Sequence, residues 1–173
     1  MKFICLALLF IGGCGKEIKK GSSISEYVDN VIYGDPIRIE ISNNNKISIK
    51  INADSLYQHN EGNTFLYGNV YADLFDDEGI KTSELHSDVA IVYMNSDSLK
   101  AKGDVFIEST KGLKLFSDEL ILFNDKKLVK SDKDVMFTSN SEDTLYGIGF
   151  WSNFDMTKSQ IIKPKGILNQ TVK

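Results

Sequence analysis

The sequence predicts an all-β protein made of stacked strand-turn-strand units that share one core. The first indication is a repeat, in which a small residue and an aspartate open an apolar run and a Gly/Lys-Asn/Asp-Val step opens another 16 or 17 residues later. The second is composition, because the repeat is rich in turn residues and filled with β-branched and aromatic side chains. A period of about 30 residues with this content indicates β units rather than helical pairs, and such a core can be left open as a groove.

The three copies of the repeat follow one another along the chain. They run from Ala53-Asp54 to Gly68-Asn69-Val70, from Ser87-Asp88 to Gly103-Asp104-Val105, and from Ser117-Asp118 to Lys133-Asp134-Val135. We interpret each copy as a strand, a turn and a strand, which predicts about a dozen strands in the whole chain. The repeat aspartates are then expected at turns or at the first residue of strands.

A β-hairpin precedes the repeats. Ile37, Ile39 and Ile41 alternate with polar residues, and the same alternation returns in the segment from Ile47 to Ile51. Three asparagines, residues 43–45, separate the two runs. Period-2 alternation around an asparagine turn is typical of a half-buried hairpin.

Within the repeats, the apolar positions fall in both alternating phases of the strands. Leu56, Ala90 and Leu120 occupy one phase, and Tyr57, Ile91 and Ile121 occupy the other. The pattern predicts strands with apolar residues on both faces. Near the end of the chain, Gly147 and Gly149 stand in an apolar run, where they permit a bend or a close approach of a neighbouring backbone.

The N-terminal residues resemble an export signal. Residues 1–13 are a short apolar run behind one lysine, which suits a lipoprotein signal peptide, and Cys14 follows Ile11-Gly12-Gly13 as in a bacterial lipobox. Lipidation at Cys14 is expected, with an ordinary signal peptide or an incidental cysteine as the alternatives. Residues 14–34 then form a polar tether, residues 35–166 the β domain, and residues 167–173 a C-terminal tail.

Composition and motifs disfavour several classes of function. The chain has 173 residues and a net charge of −4, with no basic stripe for nucleic acid. His59 and His86 are isolated, no nucleophile elbow or phosphate loop is present, and neither an enzyme nor a metal or other cofactor is expected. Calcium binding by the aspartates is disfavoured too, because one carboxylate per repeat cannot supply a site of six to eight oxygens. These aspartates are Asp54, Asp88, Asp118 and Asp155.

The ordered set of segments 85–93, 99–105, 112–120 and 144–150 resembles the LptC family of lipopolysaccharide-export components. The resemblance covers roughly residues 35–166. It implies a twisted, V-shaped antiparallel β-jelly roll, open along one side. Such a protein takes lipopolysaccharide from an inner-membrane ABC transporter and passes it to a soluble periplasmic bridge protein. It also implies a periplasmic protein anchored to the inner membrane, although lipidation at Cys14 leaves the outer membrane as an alternative.

The expected transport path is an apolar groove along the inner phase of the strands. Exposing one acyl chain of a dozen carbons to water costs about 10 kcal/mol, so a carrier needs a continuous apolar lining. The predicted lining residues are Leu56, Val70, Ala90, Val105, Leu120, Val135 and Phe150. A filled interior would instead indicate a structural or adhesive envelope lipoprotein.

The partners are expected at the two open edges of the jelly roll, where unpaired backbone groups accept a further strand. The edge that contains Ile37, Ile39 and Ile41 is predicted to meet the transporter. The edge that contains Ile161, Ile162 and Ile167 is predicted to meet the bridge protein. Gly147 and Gly149 are expected to matter for assembly, because a bulky side chain cannot share a close strand approach.

Overall fold

In the computed structural model, which describes residues 30–43, 45–59, 62–141 and 143–166, the chain forms one antiparallel sheet with its strands in chain order. The described residues form nine strands: β1 (Asn30–Asn43), β2 (Lys46–Gln58), β3 (Asn63–Phe75), β4 (Lys81–Tyr93), β5 (Ser98–Ser109), β6 (Lys114–Phe123), β7 (Leu128–Thr138), β8 (Thr144–Asn153) and β9 (Ser159–Lys165). The all-β prediction and the N-terminal hairpin are confirmed. No helix in this described part is long and apolar enough to cross a bilayer.

Within the described residues the strands are longer and fewer than predicted, nine rather than about a dozen. Each Gly-Asn or Gly-Asp step of the repeat, which the sequence suggested as the start of a strand, lies in the middle of one. The register shifts where these steps occur, for example between Tyr67 and Val70 and between Lys102 and Val105. These are β-bulges, which absorb extra residues without ending the strand and bend it.

The bulges lie side by side across the sheet and form a line that we call the crease. Shifts also occur in the partner strands, between Asn52 and Ser55 and between His86 and Val89. The repeat aspartates Asp54, Asp88 and Asp118 lie at this line, so placing them at turns or strand starts was wrong. Asp155 alone lies in a turn, between β8 and β9.

An aspartate on one strand packs against a glycine on the next at the crease. Gly68 has a φ of 75°, and a Cβ added there would lie 2.6 Å from Oδ2 of Asp54. Gly103 has a φ of 76°, and an added Cβ would collide with the carboxylate of Asp88. Glycine is required at both positions for conformation and for space. The third copy has Lys133 instead, which does not have a positive φ.

Bending at the crease folds the sheet over so that its two halves face each other. The turn after β6 contacts the β1–β2 hairpin through a hydrogen bond between Ser48 and Asn124. The same turn contacts the end of β3, because Nζ of Lys127 donates to the carbonyl oxygen of Phe75 over 3.0 Å. On another side, Ser83 of β4 donates to the carbonyl oxygen of Phe154. The inner face of the sheet, between the two halves, holds the core.

The β domain also begins earlier than its predicted boundary. β1 starts at Asn30, so the last residues assigned to the tether, residues 30–34, belong to this strand. Ile39 and Ile41 of β1 pack against the core from the edge of the sheet. β1 is thus continuous with the fold up to the first residue that the structure describes.

Candidate functional site: the inner face and the open edges

The seven residues predicted to line a groove share the inner face. Six of them are buried members of one hydrophobic cluster, and Leu56 is half-buried and packs against it. They come from seven different strands, β2 to β8, so the apolar surface runs across most of the sheet. Register explains the alignment, because Leu56, Leu66 and Ala90 are directly paired from strand to strand.

Electrically, this interior is neutral. Among the described residues, every buried polar side chain is a serine, a threonine or Asn124, and none carries a charge. Each buried side-chain oxygen and nitrogen in the described residues has a hydrogen-bond partner. Such an interior accommodates hydrocarbon, whereas a phosphate or carboxylate entering it would lose its hydration without gaining a counter-ion.

The inner face is closed in the middle and open toward two ends. Ala90, Leu120 and Phe150 have no solvent exposure. Ile32 of β1, paired with Leu56, is 55% exposed, and Leu145 of β8, opposite Phe137, is 57% exposed. Apolar side chains of the inner phase therefore reach solvent on the first strand of the sheet and on the last but one.

Two edges flank this surface, because β1 and β9 do not pair with each other or with any other described strand at their outer sides. The side chains of Ile39 and Ile41 pack against the core, so a partner strand at the β1 edge would contact mainly the backbone of β1. Both prolines of the chain lie in these strands, Pro36 in β1 and Pro164 in β9. Proline cannot donate a ladder hydrogen bond, which restricts the register in which another strand can be added.

The glycines of β8 bring β9 close. A Cβ on Gly147 would collide with Cγ2 of Ile161 and lie 2.6 Å from the carbonyl oxygen of Lys163. Gly149 has a φ of 79°, and a Cβ there would lie 2.9 Å from Cδ1 of Ile162. β9 is seated over these two glycines, and Ile161 covers part of the inner face.

Comparison with known protein families agrees with this architecture. The profile of the family described as lipopolysaccharide-assembly, LptC-related, matches residues 3–163, which is most of the chain. The chain belongs to the LptC-related family. No curated protein matches it.

Membership confirms the resemblance and the coarse function. An LptC-related protein takes part in lipopolysaccharide transport, in the periplasm and in association with the inner membrane. The open antiparallel sheet fits the jelly roll of this family. The match begins inside the apolar N-terminal run, and Cys14, like Ile167, lies outside the described residues.

A further cavity of this LptC-related chain was not predicted. It lies on the outer face at the crease, has a volume of about 770 Å³, and is lined mainly by Phe106, Phe116, Met136 and Tyr146. Val105, Val135 and Gly147, which belong to the inner phase of the strands, border this cavity where the sheet bends at the crease. In the sequence these residues are marked only by being adjacent to residues of the inner phase. The strand register was needed to show that they lie side by side.

Several ion pairs lie outside the core, on the outer face of the sheet. Burial alone raises the pKa of Glu119, but the hydrogen bond from Lys100, 3.0 Å long, and the charge of Lys102 lower it overall. Burial alone lowers the pKa of Lys81, but hydrogen bonds to Asp73, Glu84 and Tyr71 raise it above its ordinary value. His86 lies 3.4 Å from Glu84, and within the described residues no group of three potential ligands could hold a metal ion.

Proposed function

We propose that this chain carries the acyl part of lipopolysaccharide between the two halves of its folded sheet. It receives the lipid from the inner-membrane ABC transporter and passes it to the periplasmic bridge protein. The observation that carries the proposal is the neutral apolar inner face, which reaches solvent near Ile32 and Leu145 in a sheet that does not close.

The division of the lipid follows from the charges. Acyl chains gain about 0.8 kcal/mol per CH₂ on leaving water, so the inner face competes well with solvent for them. The phosphates and sugars stay outside, because none of the described residues places a cation in the interior to pair with an anion. The seven inner-face residues, from Leu56 to Phe150, then contact the acyl chains.

Passage requires the two halves to separate, because the middle of the inner face is filled by side chains such as Leu120 and Phe150. Hydrogen bonds join the halves at their rims, among them Ser48 to Asn124 and Ser83 to Phe154, and these must break when the halves separate. The crease acts as the hinge in this proposal, and a bound lipid replaces core contacts between the halves with contacts to its own chains. Such an exchange keeps binding reversible, so direction comes from the transporter.

The edges and the N-terminus hold the carrier in place. The backbone of β1 from Ile37 to Ile41 receives the transporter's periplasmic domain, and β9 with Ile161, Ile162 and the following Ile167 receives the bridge protein. A lipid on Cys14 anchors the protein to the inner membrane. If Cys14→Ser leaves both the mass and the membrane association unchanged, this anchor is wrong, and fractionation separates inner from outer membrane.

Photocrosslinking in cells tests the path. A photoreactive residue at Leu56 or Leu145, at the less buried parts of the inner face, is expected to capture lipopolysaccharide. The matched control is Lys100, which lies on the outer face of β5. Capture from Lys100 alone, or equally from all three positions, would contradict the proposal. A photoreactive residue at Ile162 is expected to capture the bridge protein.

One observation favours the alternative of a structural or adhesive lipoprotein, namely the filled middle of the core. The two functions differ in lipid uptake. A carrier is expected to bind a fluorescent fatty acid and lose it in competition with lipopolysaccharide, whereas a scaffold is expected to bind neither. Failure of uptake together with normal folding would favour the scaffold.

A further inference from the structure

The outer face at the crease carries a row of aromatic and apolar side chains that does not contribute to the core. Its members pair in register from β3 to β8: Tyr71, His86, Phe106, Phe116, Met136 and Tyr146. The rings of Phe106 and Phe116 lie 4.7 Å apart between centroids, and those of Tyr71 and His86 lie 4.9 Å apart. We call these six residues the aromatic row.

The aromatic row is open to solvent along one side. Phe116 is 37% exposed and Tyr146 is 53% exposed, and the cavity of about 770 Å³ lies against them. This volume is within the range of about 300–1,000 Å³ found for ligand pockets, and its apolar wall is typical of them. A smaller cavity continues it along Tyr71 and His86 toward β3. Together they form a groove across the strands.

Carboxylates line the other side of this groove. Asp88, Asp104, Asp118 and Asp134 follow one another on β4 to β7, and all are exposed. Asp134 pairs with Lys165, but among the described residues the carboxylates of Asp88, Asp104 and Asp118 have no hydrogen bond or ion pair. The nearby Lys102 lies 3.6 Å from Glu119 and is engaged there.

This charge decides which occupant fits. An uncharged apolar ligand would desolvate three carboxylates that have no partner, which is costly, and the phosphates of an anionic lipid would be repelled. A ligand that places cations on the carboxylates and apolar groups on the aromatic row satisfies both sides. Four neighbouring strands span about 14 Å, which is about four residues of extended chain.

We propose that this groove binds an extended basic segment of a partner protein, with lysine or arginine directed to Asp88, Asp104 and Asp118 and apolar side chains on Phe106, Phe116 and Tyr146. The site lies on the opposite face of the sheet from the acyl path, and the two can be occupied together. It adds a contact surface separate from the strand edges.

Calorimetry with the full chain in detergent solution tests the site. The probe is a nine-residue peptide of alternating lysine and leucine with blocked ends, and the comparison peptide has glutamate in place of lysine. The basic peptide is expected to bind at least tenfold more tightly than the acidic one, and more weakly as salt rises. Equal binding of the two peptides would overturn the proposal.

Variants separate the groove from the overall charge. Asp104→Asn with Asp118→Asn is expected to weaken binding of the basic peptide at least tenfold, and Phe116→Ala about threefold or more. The matched control, Glu78→Gln with Asp125→Asn, removes the same charge from exposed turns and is expected to change little. Equal loss in both double variants would overturn the site. Capture of anionic vesicles by the groove, or self-association that these variants abolish, would replace the proposed occupant with a lipid or a second copy.

Discussion

The two faces of the sheet differ although the same strands build them. The inner face has buried apolar and hydroxyl side chains with no charge among the described residues, whereas the outer face carries the ion pairs, the exposed carboxylates and the aromatic row. Adjacent residues such as Leu115 and Phe116 are both large and apolar, yet the first has no exposure and the second has 37%. Hydrophobicity alone therefore does not identify which face holds the core, and register does.

The largest expected effect on stability comes from substituting Leu115 and Phe116 one at a time and comparing the two costs. Leu115→Ala leaves a cavity in the filled inner face and is expected to lower the free energy of unfolding by about 3 kcal/mol. Phe116→Ala removes one ring contact on the outer face and is expected to cost about 1 kcal/mol. Urea denaturation measures both values. Equal costs would mean that the outer aromatic row is part of the core.

The next largest effect on stability is expected where β9 packs closely against the glycines of β8. Gly147→Ala places a methyl group against Ile161 and the backbone of Lys163, and is expected to cost about 2 kcal/mol by overpacking. Gly166→Ala is the control, because nothing lies within 4 Å of a Cβ at that position. Hydrogen exchange is expected to show faster exchange of the β9 amides only in the Gly147 variant. Unchanged exchange would show that β9 tolerates the methyl group by a small shift.

At the crease, the steric cost of a side chain at Gly103 that meets the Asp88 carboxylate can be measured apart from its other costs. Gly103→Ala is expected to cost about 2 kcal/mol, because the methyl group meets the carboxylate of Asp88 and because alanine resists a positive φ. In the background of Asp88→Ala the same change is expected to cost less, because the carboxylate is gone and only the conformational part and a contact of 2.9 Å with the Cβ of residue 88 remain. A double-mutant cycle measures the difference. Additive costs would mean that Asp88 moves away freely.

Sequence periodicity predicted the all-β class, the hairpin and the inner-face residues, and the bulges explain why it failed on strand number. The inner phase runs through Ile51 and Ala53 and then resumes at Leu56, an odd step that moves the apolar positions to the other alternation. On β3 the step from Leu66 to Val70 is even. A bulge can move the buried positions of one strand from the odd-numbered to the even-numbered residues. An analysis that assumes strict alternation then assigns apolar residues to both faces and divides one strand into two.

The candidate site was predictable only in part for the same reason. Leu56, Ala90 and Leu120 could be grouped from the repeat, since they recur at equivalent positions. Whether the space beside them is open depends on how the halves fold at the crease, which local pattern does not encode. The outer groove depends on pairing between strands that are distant in sequence, such as Phe106 with Phe116 and Met136 with Tyr146.

The smallest effect concerns the ion pairs of the outer face. The pKa of Glu119 is lowered in the folded protein, so its ionised form contributes stability above its ordinary pKa near 4.5, and this contribution is lost as the pH falls below that value. Glu119→Gln is expected to cost at most about 1 kcal/mol at pH 7, since Lys100 and Glu119 are only partly buried.

At pH 3 the cost of Glu119→Gln is expected to be smaller than at pH 7, because the contribution of the ionised form declines once the pH falls below the ordinary pKa of the carboxyl. Glu78→Gln, on an exposed turn, serves as the control and is expected to change little at either pH. Urea midpoints at pH 7 and pH 3 give the comparison. A cost that stays constant with pH would show that Glu119 contributes by packing, in which case the outer face is held together by contacts of the same kind as the inner one.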